Sequence, residues 1–190
     1  MANYYYYKYD TMNKMSIIMK SKNEEYYLKE IASIFEELYK IANYGNILSD
    51  KINSDNANSN LSSNLLRSYI DYSKKTIKIE KIRNGSIEII LSGLSLVSAI
   101  AIPIALYLVQ KQDLEEISMH FIVNSKDPII NDILDKVESG FYGDRKNVEK
   151  YVFRILAEYG YSTEYLHPYS YRVSKAIESS KDRIIRILRI

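Results

Sequence analysis

Cysteine is missing from all 190 residues. This excludes disulfides, thiolate nucleophiles and Cys-ligated zinc or iron–sulfur sites. It leaves the compartment open. Tryptophan is also absent, and glycine and proline are scarce, at 6 and 3. The glycines are scattered, so no GxGxxG or GxxxxGK[ST] loop exists to cradle a phosphate. The two histidines, His120 and His167, lie 47 positions apart without an HExxH spacing, and a metal site would need further ligands. A surplus of charge is lacking too: 26 Lys and Arg stand against 24 Asp and Glu, a formal net charge of +2. Whole-chain charge therefore points to no polyanionic partner. The carboxylate pairs Glu24/Glu25, Glu36/Glu37 and Glu115/Glu116 occupy adjacent positions, which do not face one another on a helix. Paired acid–base catalysis gains nothing from them. These absences lead to an expectation of no enzyme activity, no cofactor and no metal.

What the chain has in excess is tyrosine, 19 against 4 phenylalanines. Together with abundant Ile, Asn, Lys and Ser, this matches codon bias in an AT-rich genome, and a bacterium, phage, virus or other mobile element would suit it. Tyrosine also suits contact surfaces, because a large rigid ring carries a polar handle at low entropic cost. The opening "MANYYYYKYD" has no basic n-region and no apolar h-region, so no signal peptide is read. Ala2 in place of glycine excludes N-myristoylation.

Periodicity sets out the elements. Aromatics at residues 3–9 read as a strand. "DTMN" reads as a turn, and Met15–Lys20 as a second strand, together a β-hairpin. Ser21–Ala42 reads as a helix opened by a Ser21/Glu24 capping box. Its inward stripe is Tyr27, Leu28, Ile31, Ile34, Phe35, Leu38, Ile41 and Ala42, and Gly45 ends it. The Asn/Ser/Asp-rich residues 43–64 read as a loop, followed by a short helix at about 62–74. Strands at 76–83 and 86–91 flank Asn84-Gly85, the strongest short hairpin signal. That turn reading outweighs the "NGS" glycosylation sequon at 84–86. Beyond Ser92 the chain reads as helical to about Val123. Further helices open at Asp127-Pro128, at Asp144 and at about Pro168.

The expected fold class is α+β: a small antiparallel sheet from two β-hairpins packed by a helix, followed by an all-helical C-terminal half. The expected division is an α+β region at 1–91 and a helical region at 92–190.

Residues 89–110 are 22 in a row without charge, about 33 Å as a helix. If the strand claims 89–91, about 28 Å remain, against a hydrocarbon core of about 30 Å. A helix apolar all round must be buried in something. A self-associating soluble protein is one answer, with Leu94, Val97, Ile100, Ile104 and Leu108 as interaction residues. A membrane anchor or effector inserting 92–110 is the alternative. The last helix ends in a basic amphipathic run, with Lys175, Lys181, Arg183, Arg186 and Arg189 as candidates for an anionic or protein partner. The leading expectation is a non-enzymatic structural or protein-interaction subunit, a homo-oligomer or one that binds another protein, in the cytoplasm or in an assembly such as a virion. A bilayer is the alternative partner, and nucleic acid ranks behind both.

Overall fold

The computed structural model describes residues 14–23, 25–58, 78–83, 86–111, 117–140 and 147–189. The expected strand at 3–9 with its turn, the expected helix at 62–74, the Asn84-Gly85 turn and the Asp144 cap lie outside the described residues.

The chain is α+β. Its strands are β1 (Lys14–Ser21), β2 (Lys78–Arg83), β3 (Ser86–Ser92) and β4 (Met119–Ser125). Its helices are α1 (Leu28–Asn58), α2 (Leu96–Gln110), α3 (Pro128–Gly140), α4 (Val148–Glu158) and α5 (Thr163–Leu188). The four strands form one antiparallel sheet in the order β2-β3-β1-β4. Ile17 of β1 stands opposite Ile89 on one side and Val123 on the other. Alternation does the rest. Met15, Ile17, Met19, Ile87, Ile89, Leu91, Met119 and Phe121 are buried and face the helices. Ser16, Ile18, Glu88 and Ile90 lie on the other face at intermediate exposure, where Ser16 Oγ donates to Glu88 Oε1 at 2.8 Å.

Three boundaries differ from the sequence reading. The helix does not begin at Ser21, because that residue ends β1, opposite Met119. Its backbone N–H donates to the Tyr26 hydroxyl at 3.1 Å, and α1 starts only at Leu28. Second, Gly45 does not end α1, which continues to Asn58 through the stretch read as a loop. Third, 119–125 is a strand rather than the tail of a long helix. Its burial alternates over Met119, Phe121 and the exposed Ile122, and β1 supplies its backbone partners along the whole strand. The sheet and the core thus draw on both sides of position 91.

The apolar segment divides as expected at Ser92, where β3 ends. Gly93 turns the chain with φ 72°, in the left-handed region that favours glycine. Ser95 then caps α2, its Oγ accepting from Ser98 N at 3.1 Å. The helix is only 15 residues long, about 22 Å, too short for a hydrocarbon core of about 30 Å. No helix among the described residues is long and apolar enough to cross a membrane. Every residue of α2 is buried except Tyr107 and Gln110, and α1, α3, α5 and β4 pack around it. Each fully buried Leu, Ile or Val contributes about 1.5–3 kcal/mol, so α2 is the centre of the core. Pro103 sits within it.

The approach of α1 to α2 explains why α1 runs on past Gly45. A Cβ on Gly45 would stand 2.5 Å from Ser98 Oγ, 2.8 Å from Ser98 N and 2.9 Å from Ser98 Cα. One residue on, Asn46 Oδ1 accepts from Ser95 N at 2.8 Å and from Ser98 Oγ at 2.8 Å, and Asn46 Nδ2 donates to Gly93 O at 3.2 Å. Ser49 Oγ accepts from Val97 N at 3.3 Å. The N–H groups of Ser95 and Val97 are among those a helix start leaves without intrahelical partners. Side chains of α1 therefore cap α2. Two of the residues that read as loop composition, Asn46 and Ser49, form an interhelical polar seam, and Leu48 and Ile52 on the same side of α1 are buried.

The remaining helices begin and end on local signals. Asp127 Oδ1 accepts from Ile129 N at 2.8 Å, and Pro128 follows at the first helical position. Burial pushes the Asp127 carboxyl up, opposed by the N–H groups of Ile129 and Ile130. Ile130, Ile133 and Val137 are buried as expected, and Leu134 partly so. Val148, Tyr151, Val152, Ile155 and Leu156 of α4 are all buried, and Gly160 follows with φ 91°. Helix α5 begins at Thr163, five residues before the expected start, and holds Pro168 within its first turns.

The seam can be tested by mutation. Gly45→Ala forces the two helices apart, at a cost on the order of 1–3 kcal/mol for overpacking. That exceeds the gain of about 1 kcal/mol from replacing a helical glycine, so the melting temperature falls. Asn46→Ala strands buried donors and acceptors at about 1–3 kcal/mol. Thermal unfolding followed by circular dichroism reads both, and an unchanged or raised midpoint for Gly45→Ala would refute the close approach.

Candidate functional site

The sequence-predicted apolar interaction residues are all inside. Leu94 and Val97 are 1% exposed, Ile100 and Ile104 0%, and Leu108 4%. They are covered by this chain's own helices and sheet, so they present no face to a second molecule. The reason is the length of α1: its unexpected second half, with α5, supplies the cover that a shorter helix could not.

The five basic candidates separate. Lys181 is buried and pairs with Asp182 at 3.0 Å. Arg186 and Arg189 are exposed near the end of α5, where the backbone of Arg189 bridges to Ile117. Only Lys175 and Arg183 reach one common feature, a groove between α1 and α5.

That groove encloses about 590 Å³. Helices α1 and α5 run antiparallel along it, since Glu37 and Asp55 of α1 meet Arg183 and Tyr169 of α5. Its floor includes Ile41 and Ala176, and its walls carry Tyr39, Tyr44, Ile47 and Tyr171. These four side chains are 55%, 38%, 46% and 52% exposed, a concentration of apolar surface that solvent alone does not favour. The charged side chains lining it are Lys40, Arg172, Lys175 and Arg183, all cations.

The cations are held from behind. Lys40 Nζ lies 2.7 Å from Glu36 and 3.1 Å from the buried Glu37, and Arg183 reaches Glu37 from α5 at 3.4 Å. The ammonium of Lys40 draws the Glu36 carboxyl below its usual range, and the carboxylates raise the Lys40 pKa in turn. Lys175 lies 3.5 Å from Glu178 and 5.6 Å from the centre of the Tyr171 ring, a cation–π contact. Surface pairs of this kind contribute little stability. They do fix where the positive heads point.

Sequence reasoning missed Tyr39, Tyr44 and Ile47. They stand on α1 beside its buried stripe, and the two later ones fall where composition reads as loop. The available signal was the tyrosine excess.

A smaller cavity of about 290 Å³ lies between α2, β4 and α3, lined by Tyr107, Gln110, Phe121, Ile122, Leu134 and Val137 among others. Gln110 Nε2 donates to the Phe121 carbonyl there, so a side chain of α2 occupies part of the edge strand. The histidines remain apart: His120 is on β4, opposite Lys20, and His167 stacks on Phe153 with ring centres 4.7 Å apart. Among the described residues no group of three or more His, Asp or Glu is placed to hold a metal.

Outside the groove, two tyrosine–carboxylate pairs join separate helices. Tyr159 Oη donates to Asp132, which also receives Lys136 at 2.7 Å, tying α4 to α3. Tyr169 Oη donates to Asp55, tying the start of α5 to the far part of α1. Burial, then the carboxylate partner, pushes the Tyr169 phenol up to about 12. A raised tyrosine pKa stabilises the fold below pH 10, where both states are neutral. That contribution is lost as pH climbs through 10 towards 12, because the unfolded chain ionises first. Urea titrations between pH 9 and 12 should show this loss, and Tyr169→Phe should flatten it. An equally steep loss in the variant would remove Tyr169 from the account.

No family model, no curated protein and no solved structure matches this chain.

Proposed function

We propose that the protein is a non-enzymatic interaction subunit that works by self-association, with the α1–α5 groove as its docking surface. The observation that carries this reading is the concentration of Tyr39, Tyr44, Ile47 and Tyr171, exposed apolar side chains from two helices, along one concave groove. Aromatic anchors in a concave, cation-rimmed site are the usual hot-spot chemistry of protein interfaces, where Tyr and Arg are enriched. A fully covered α2 moves the contact surface from the apolar helix to this groove. Arg172, Lys175 and Arg183 at its edge give an incoming chain polar partners. The alternative of an inserting helix at 92–110 has no support from the 15-residue buried α2.

Light scattering of the full chain at about 100 μM, enough to populate a contact with a Kd near 10 μM, should give a mass above the 22.2 kDa of one chain. Ile47→Glu, a substitution at a 46% exposed side chain, should return it to one chain without loss of helicity. A wild-type mass of one chain, or an assembly indifferent to Ile47→Glu, would refute the groove as the docking surface.

A further inference from the structure

The two outer strands of the sheet have unlike sequences. Strand β2 carries Lys78, Glu80, Lys81 and Arg83, and its register shifts between Lys78 and Lys81. Charge and a bulge are the usual protection of an edge against further pairing. Strand β4, "MHFIVNS", has no Lys, Arg, Asp or Glu, and its pairing with β1 is unbroken from Met119 to Ser125. Among the described residues no strand lies beyond it. The Phe121 carbonyl accepts from Gln110 of α2, so it points away from β1. Backbone groups alternate in direction along such a strand. Val123, two residues on, therefore also turns its N–H and C=O off the sheet, and no described group bonds to them. Its side chain faces the helices with that of Phe121, yet it is only partly buried. The cavity of about 290 Å³ lies beside it, walled by Pro103, Tyr107, Leu134 and Val137. An uncharged edge next to an apolar cavity is what strand addition uses: backbone partners in a line, and a pocket for alternate side chains.

We propose that residues 3–9 of this chain add to the sheet as a further strand along β4, with alternate tyrosines seated in the cavity. The sequence "NYYYYKY" is aromatic apart from Asn3 and Lys8, and aromatics favour strands. Strand β1 has no edge to offer it as a hairpin partner, because β3 holds one side and β4 the other. The chain enters β1 at Lys14, whose carbonyl accepts from Ser125 Oγ at 2.5 Å, at the end of β4. The outer side of β4 is two strand spacings from there, about 10 Å. The chain from Tyr9 to Lys14 spans up to about 17 Å, enough to pass the end of β4. The outer side of β2 is three spacings away, about 14 Å, past the ends of two strands and onto the charged edge. The added strand ends where β4 ends, so the two run parallel. Alternation divides its side chains between the faces. Lys8 takes its set, with Tyr4 and Tyr6, to the face of the exposed Ile122, which no described helix covers. Tyr5, Tyr7 and Tyr9 then fall on the cavity side, where a tyrosine ring buries its apolar body and keeps its hydroxyl at the rim. This contact is independent of the α1–α5 groove, which lies on other elements.

Disulfide scanning tests it directly, because the chain has no cysteine of its own. Ile122→Cys is combined in turn with Tyr4→Cys, Tyr5→Cys, Tyr6→Cys and Tyr7→Cys in the full chain. Each variant, checked for folding by circular dichroism, is air-oxidised at about 1 μM, below the range of a contact with a Kd near 10 μM. Tyr4→Cys or Tyr6→Cys should close a disulfide within one chain, read as loss of free thiol at the mass of a single chain. Tyr5→Cys and Tyr7→Cys, turned to the opposite face, should react about tenfold more slowly. Val123→Pro removes an outward N–H and no bond to β1, a change that edge strands tolerate. It should slow the faster reactions about tenfold through the lost strand hydrogen bond. Equal reaction at all four positions, no reaction at any of them, or indifference to Val123→Pro would overturn the proposal. A disulfide formed between two chains would overturn it as well, and would assign the edge to a second copy.

Discussion

The close crossing of α1 over the start of α2 is the contact on which the rest of the structure depends. Gly45 lets the two backbones approach until only a hydrogen atom fits between them, and Asn46 and Ser49 then serve as caps for the neighbouring helix. A helix made almost wholly of Leu, Ile, Val and Ala has few polar side chains to satisfy its own first N–H groups. Borrowing them from α1 allows that helix to start inside the core. A buried end without such partners would cost about as much as several lost hydrogen bonds.

From this crossing follows the cover over α2. Held against Ser95 and Ser98, α1 extends far enough for Leu48 and Ile52 to enter the core and for Asp55 to meet Tyr169 of α5. Helix α5 lies along α1 and closes over α2. The same antiparallel pair that buries α2 leaves a furrow on its outer side, and Tyr39, Tyr44, Ile47 and Tyr171 project there because they stand out of phase with the inward stripe. The core and the groove are two sides of one packing decision.

Much of the fold was legible in the sequence. Alternating isoleucines on both sides of Asn84-Gly85 placed β2 and β3, and the 3.6-residue spacing of Ile31, Ile34, Leu38 and Ile41 placed the first half of α1. Asp127-Pro128 placed the start of α3. The failures share a cause. Ser21 has the chemistry of a helix cap, but the sheet pairs it with Met119, 98 positions away. Gly45 has the chemistry of a helix end, but its missing side chain is used for close approach. Met119–Ser125 is short and apolar, a pattern that fits either a helix or a strand, and only the free edge of β1 decided it. The candidate sites failed likewise: Leu94 to Leu108 were rightly marked as needing cover, and the cover proved to be the chain's own. Lys181 was placed on a basic face, and the helix turned it inward.

The sequence by itself determined the class of structure, the division of residues 88–110 into strand and helix, and the need to bury that helix, because periodicity and hydrophobicity are local properties. Only the tertiary structure decided what covers the helix, which strand completes the sheet, and where apolar surface is left over. Those depend on contacts between residues tens of positions apart, and nothing in the local order of Asn43 to Asn58 tells whether an asparagine faces water or caps a neighbouring helix.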